Sequence, residues 1–185
     1  GILNLVKKDG TVDANQVLGL AGTLLAARDY ARRHPGALIV SVDNQIARHW
    51  LRLGKHGERC DLMALRQAGD SLVVETIEVK STQGTADDIP SATLEKATTQ
   101  LSATLAAVSD GLNAVGSGGG PLSVPRGEML KEVLVRGCLS KNITPELRGI
   151  WCAVLKRVFR QEGSPPPVAV QGEIVLVALG ESRSV

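Results

Sequence analysis

The sequence predicts an α/β domain in which a central mixed sheet is flanked by helices, in the order αβββαβ, with a helical insertion before the last strand. Three observations lead there. Residues 59–82, RCDLMALRQAGDSLVVETIEVKST, read as two strands folded into a hairpin, and residues 37–42 (ALIVSV) and 168–179 (VAVQGEIVLVAL) read as two more strands. Segments with apolar residues at helical spacing lie before and after that hairpin. The chain of 185 residues fits one domain and is long enough to bury a real core.

Taken in order, residues 1–10 are a short apolar segment ending in a Lys-Lys-Asp-Gly turn. Asp13 stands where an N-cap belongs, with Gln16 three residues on. From 14 to 33, Val17, Leu20, Ala21, Leu24, Leu25 and Ala31 recur at helical spacing and predict a core helix, stopped by His34-Pro35-Gly36. The near-continuous apolar run 37–42 suits a buried strand. Asp43 then precedes NQIARHWLRL, a short helix with Ile46, Trp50 and Leu51 inward and a basic surround of Arg48, Arg52, Lys55 and Arg59.

In the hairpin, a four-residue turn Gln67–Asp70 separates strands of about 59–66 and 71–80. Alternation puts Val74, Thr76, Glu78 and Lys80 on one face and Val73, Glu75, Ile77 and Val79 on the other. Pairing Arg66 with Ser71 sets Asp61 opposite Thr76, a diagonal neighbour of Glu78 roughly 7–8 Å away on the same face. A register shifted by one would move Asp61 to the other face. After a polar loop, Ser91 caps a helix of about 92–109 with Leu94, Ala97, Leu101, Leu105 and Val108 as its apolar stripe. Gln100 falls at the edge of that stripe, three residues after Ala97 and four before Thr104, and can look towards the sheet.

The glycine-rich run 115–121 lacks the Gly-Lys-Ser/Thr ending of a phosphate-binding loop. Helices of about 126–140 and 145–160 follow, the second with Leu147, Ile150, Trp151, Val154, Leu155, Val158 and Phe159 in one stripe and Arg148, Lys156, Arg157 and Arg160 outside it. Pro165-Pro166-Pro167 is a stiff connector to the last strand, which Gln171-Gly172 is expected to interrupt. The core thus spans about 12–110 and 168–180, with the insertion at about 121–163, in one domain covering 1–185.

Composition narrows the function classes. Aromatic residues number only four, Tyr30, Trp50, Trp151 and Phe159, which disfavours modules that stack single-stranded bases on aromatic platforms. A net charge of +2 names no partner, since phosphate contact depends on local clustering. Cys60, Cys138 and Cys152 show no CxxC spacing, which argues against structural zinc or a disulfide scaffold and for a reducing cytoplasm. No apolar run of membrane-spanning length and no signal peptide are visible, so no membrane partner is expected. The absent initiator Met suggests a domain excised from a larger protein. His34, His49 and His56 lack metal-ligand spacing.

The chemistry resides in Asp61, Glu78 and Lys80. A Glu-x-Lys triplet alone is ordinary on a solvated strand face, held by a salt bridge. Inward charges on strands this apolar are costly unless paired or metal-bound, and that favours a functional reading once Asp61 joins them. Two carboxylates can hold a hard divalent cation, and the lysine can orient or deprotonate a water and stabilise charge on a phosphate. Glu75, on the other face, reads as structural, and Cys60 as packing on the face away from Asp61.

Asp61, sixteen intervening residues, then Glu78-Val79-Lys80 on a hairpin partner after a leading helix resembles the PD-(D/E)xK nuclease superfamily, over about residues 14–108. The resemblance implies a restriction-endonuclease-like fold and hydrolysis of DNA. It implies Mg²⁺, with Mn²⁺ as substitute, on Asp61, Glu78 and the Val79 main-chain carbonyl, and a catalytic Lys80. Gln100, in AxxQL on the following helix, resembles the glutamine of the RecB-like branch, which helps position the lysine and water. That branch often carries Tyr four residues later, where this chain has Thr104, and Cys60 stands where Pro often precedes the Asp. Asp43 is a further acid candidate, though it reads first as a helix cap. Arg48, Arg52, Lys55 and Arg59 are the expected phosphate contacts.

By the family's habits the resemblance implies a place in bacterial restriction or phage defence, with an ATPase or helicase part as the expected partner. The competing readings are a non-catalytic DNA-binding or scaffold domain, and a repair or recombination nuclease such as a junction resolvase, which would require a symmetric homodimer.

Overall fold

The computed structural model describes residues 13–42, 59–113, 123–140, 143–159 and 165–180. The order is α1 (Ala14–Arg33), β1 (Leu38–Ser41), β2 (Leu62–Ala68), β3 (Ser71–Thr82), α2 (Ser91–Asn113), α3 (Ser123–Cys138), α4 (Pro145–Val158) and β4 (Val168–Ala178). The strands form one open mixed sheet, β1-β2-β3-β4, antiparallel except that β4 runs parallel to β3. The α/β class with a mixed sheet between helices is as expected. None of the described helices is long and apolar enough to cross a membrane.

Each sheet face carries its own core. On one, Leu38, Val40, Met63, Leu65, Leu72 and Val74 pack against α2, α3 and α4 through residues such as Val108, Leu134 and Trp151. On the other, Leu62, Ala64, Ile77 and Val79 pack against Ala26 and Tyr30 of α1. β3 is consequently buried on both faces from Leu72 to Val79, including Glu75 and Glu78. It has the near-continuous apolar character of a strand covered on both sides.

Asp13 caps α1 as the sequence predicts, accepting from the Asn15 and Gln16 amides at 3.0 and 3.3 Å. The buried face of α1 is a correction. Val17, Leu20, Leu24 and Leu25 are exposed, and the helix meets the sheet through Gly22, Ala26 and Tyr30. A Cβ at Gly22 would collide with Ser81, so this face was chosen by close backbone approach and not by side-chain hydrophobicity. α2 buries Ala97 and Val108 of its predicted stripe, keeps Leu94, Leu101 and Leu105 half-buried, and adds the small residues Thr104, Ala107 and Gly111 to the buried face. Its Leu101 lies over Gly172, where a Cβ would stand 2.8 Å from it.

Two strand expectations also change. β4 runs uninterrupted through Gln171-Gly172, because each of its eleven residues pairs with β3. The hairpin turn is two residues, Gly69-Asp70, not four, and Ala68 pairs with Ser71. Gly69 has φ 58°, the left-handed conformation that two-residue hairpin turns need to match strand twist. In α4, Trp151, Val154, Leu155 and Val158 are buried as predicted, whereas Ile150 is exposed. Lys156 and Arg157 are exposed, and Arg148 Nε donates to the Cys138 carbonyl at 3.2 Å. Arg160, Asp43 and the short helix expected after it lie outside the described residues.

The buried Glu75 is a structural carboxylate. Tyr30 Oη donates to its Oε2 at 2.8 Å and Gln171 Nε2 to its Oε1 at 3.0 Å, tying α1 and β4 to the central strand. Burial and this carboxylate push the Tyr30 phenol well above its usual range. Tyr30→Phe leaves one buried carboxylate oxygen without that donor. It is expected to lower unfolding stability by about 1–3 kcal/mol in urea denaturation.

Candidate active site

The two-residue turn moves the β2–β3 register by two positions from the predicted one. An even shift keeps every side chain on its predicted face. Leu62 pairs with Ile77, so one residue further out Asp61 stands opposite Glu78. The two carboxylates are thus directly across the hairpin and not diagonal. Asp61 precedes the first residue of β2, yet it remains tied to its neighbours. Its carbonyl accepts from the Val42 amide at 2.9 Å, and its Oδ2 accepts from the Val79 amide at 2.8 Å.

Glu78 is 1 % exposed. Lys80 Nζ lies 2.6 Å from Glu78 Oε1 and donates to Gln100 Oε1 at 3.0 Å. Gln100 in turn donates from Nε2 to the Arg59 carbonyl at 3.1 Å. These two bonds fix the orientation of the Gln100 amide, because its oxygen must face the ammonium and its nitrogen the carbonyl. The helical position of Gln100 therefore does what its sequence spacing predicts: α2 lies on the sheet face that carries Glu78 and Lys80.

The electrostatics are those of a crowded acidic pair. Burial, then the charge of Asp61, push the Glu78 carboxyl up to about 7, against the pull of Lys80. Asp61 is raised as well, by burial, with the Val79 amide, Lys80 and Arg59 working in the opposite direction. Glu78 Oε2 is buried without a hydrogen-bond partner. Two neighbouring carboxylates in a low-dielectric site raise each other's cost of ionisation, a situation that a bound cation relieves.

Cys60 is a correction. It lies before β2, outside strand alternation, so its thiol reaches Glu78 and Thr104 instead of the opposite face. Burial pushes that thiol up to about 12, which makes it an inert neighbour of the carboxylate and not a nucleophile. Thr104, which the sequence placed four residues beyond Gln100 without giving it a role, is also part of this cluster. It is fully buried and accepts from the Cys60 amide at 2.9 Å. Its signal was its place one helical turn beyond Gln100 on the same face.

Of the remaining expected residues, Arg59 is at the site, its charge bearing on Asp61 and its carbonyl held by Gln100. The side chain of Val79 packs on the α1 face, and its amide donates to Asp61 Oδ2. Asp43, Arg48, Arg52 and Lys55 lie outside the described residues. Among the described residues no group of three or more His, Cys, Asp or Glu side chains is arranged to hold a metal. The side chains that could hold a hard cation at this place are the neighbouring Asp61 and Glu78 carboxylates, leaving main-chain oxygen and water to fill the rest of any shell. No protein-family model, no curated protein and no solved structure matches the chain.

Proposed function

We propose that the chain is a divalent-metal-dependent deoxyribonuclease of the PD-(D/E)xK kind. One observation carries the reading: Asp61, Glu78, Lys80 and Gln100 converge on one buried sheet face, and Glu78 there keeps an unpartnered oxygen. Glu75, also buried on the same strand, has both oxygens satisfied by neutral donors. A carboxylate retained only for structure resembles Glu75. The element order αβββ, α2, a helical pair and a parallel β4 also suits the core that the resemblance implies, with α3 and α4 as the insertion.

In this reading Asp61 and Glu78 hold Mg²⁺, or Mn²⁺ in its place. When bound, the cation supplies Lewis-acid charge at the phosphate and a water of lowered pKa. Lys80 then orients the attacking water and offsets charge building on the phosphate oxygens. Gln100 holds Lys80 in line with that task through a bond to an amide that cannot turn. The Val79 amide fixes the orientation of Asp61. Arg59 adds positive charge beside the carboxylates where a DNA backbone would approach.

The test is incubation of supercoiled and linear duplex DNA with Mg²⁺ and the wild-type chain or Asp61→Ala. Cleavage is expected from the wild type, and a loss on the order of 10²-fold or more in the variant. Equal cleavage by both would remove Asp61 from the mechanism. DNA binding without cleavage by either would favour the non-catalytic DNA-binding reading, with Lys80 and Glu78 as a buried structural ion pair.

A further inference from the structure

Two side chains one turn apart on α2 clamp the chain where it enters β2. Gln100 holds the Arg59 carbonyl at 3.1 Å and Thr104 Oγ1 accepts from the Cys60 amide at 2.9 Å. The same hydroxyl donates to the Gln100 carbonyl at 2.9 Å. Helix-internal threonine bonds of that last kind are unremarkable on α2, where Thr98 and Thr99 make them at 3.0 Å from exposed positions. Thr104 differs in being fully buried and in reaching across to a second segment, the residue that precedes Asp61.

From these bonds we infer that Thr104 is a positioning residue for the site, its hydroxyl holding the Asp61 arm in register with the Gln100–Lys80 arm. Asp61 stands one residue beyond the last β2–β3 pair, so the ladder sets its register but makes no β2–β3 pair that holds it there. What places it is the Val79 amide on its side chain, the Val42 amide on its carbonyl and the Thr104 hydroxyl one residue upstream. Removing that hydroxyl frees the Cys60 amide while leaving Gln100 bonded to Lys80. The Asp61 carboxylate then drifts relative to Glu78, and the shared cation site loosens. The catalytic meaning of this inference rests on the nuclease reading; the structural coupling does not.

Thr104→Val keeps β-branching and volume without the hydroxyl, and Thr104→Ser keeps the hydroxyl without the methyl. Three measurements on the full chain decide the matter: Mn²⁺ affinity by calorimetry, kcat and KM for DNA cleavage, and amide hydrogen exchange at Cys60 and Val79 without metal. Thr104→Val is expected to bind Mn²⁺ about 10-fold or more weakly and to lower kcat more than it changes KM, with Thr104→Ser within about 3-fold of wild type. Exchange at Cys60 and Val79 should accelerate in Thr104→Val and remain slow in Thr104→Ser. Wild-type exchange and Mn²⁺ affinity in Thr104→Val, or equal impairment of both variants, would overturn the inference. If the wild-type chain neither binds Mn²⁺ nor cuts DNA, the nuclease reading falls, and the Val79 amide still reports whether the hydroxyl holds Asp61.

Discussion

Lys80→Ala is expected to lower Mg²⁺-dependent DNA cleavage by about 10²–10⁴-fold while leaving divalent-metal binding intact. The two effects separate because Lys80 stands on both sides of the ledger of charge. Its ammonium lies 2.6 Å from Glu78 Oε1 and its charge also bears on Asp61. Without it, Glu78 loses a competitor for a bound metal, so Mn²⁺ affinity by calorimetry should match or exceed that of the wild type. Asp61→Ala is expected to do the reverse, losing metal affinity and activity together. Gln100→Ala should fall between, with metal binding retained and kcat reduced, because Lys80 loses its bond to Oε1 but not its place on β3. A Lys80→Ala protein that cuts DNA within about tenfold of wild type would remove Lys80 from the chemistry. A Lys80→Ala protein that binds Mn²⁺ much more weakly would show that the ammonium organises the carboxylates instead of competing for them.

The second large effect is on stability. The metal-free protein is expected to become less stable as pH rises from about 5 to about 8, by on the order of 3 kcal/mol. Glu78 in the folded chain titrates at about 7, raised first by burial and next by Asp61. Below the ordinary glutamate range both folded and unfolded forms carry the proton, and Glu78 adds no pH dependence. Between that range and about 7 the unfolded chain has released its proton while the folded chain still holds one. Raising the pH through this window therefore withdraws stabilisation. Asp61 is also raised, so it contributes in the same direction, and the two carboxyls titrate as a pair.

Glu78→Gln has no such proton to lose. It should flatten the pH dependence and exceed the wild type in metal-free stability at pH near 8. Because cation and proton compete for the same oxygens, Mg²⁺ should raise the wild-type melting temperature more at high pH than at low pH and have little effect on Glu78→Gln. Thermal denaturation with chelator or with Mg²⁺, across that pH range, reads all of these at once. A wild-type slope that survives unchanged in Glu78→Gln would place its origin elsewhere in the protein.

How much of this was legible in the residues can be followed position by position. Alternation along residues 71–80 separated Glu78 and Lys80 from Glu75, and the structure keeps them on those faces. Side-chain period is a local property of extended backbone, and burial cannot change it. The place of Gln100 was legible for the same kind of reason, since helical spacing alone relates it to Ala97 and Thr104. Asp13 as the cap of α1 follows from its own short carboxylate.

The failures share a different cause. Leu20 and Leu24 promised a buried stripe on α1, yet Gly22, Ala26 and Tyr30 face the sheet. Hydrophobic periodicity measures side chains and cannot register how closely two backbones approach. The hairpin register depended on whether Gly69 would take a left-handed conformation and shorten the turn. The even size of the resulting shift kept the site on one face.

By itself, then, the sequence determined the α/β class, the strands and helices that bear the site, and which charged residues share the face of Glu78. Those follow from periods of two and 3.6 residues that every chain obeys. Only the tertiary structure decided that Asp61 stands directly opposite Glu78, that Cys60 turns towards it, and that Thr104 ties the entry of β2 to α2. Each of these depends on hydrogen bonds between segments more than fifteen residues apart, and on how closely α2 can lie over small residues such as Gly172. No spacing along the chain encodes such distances.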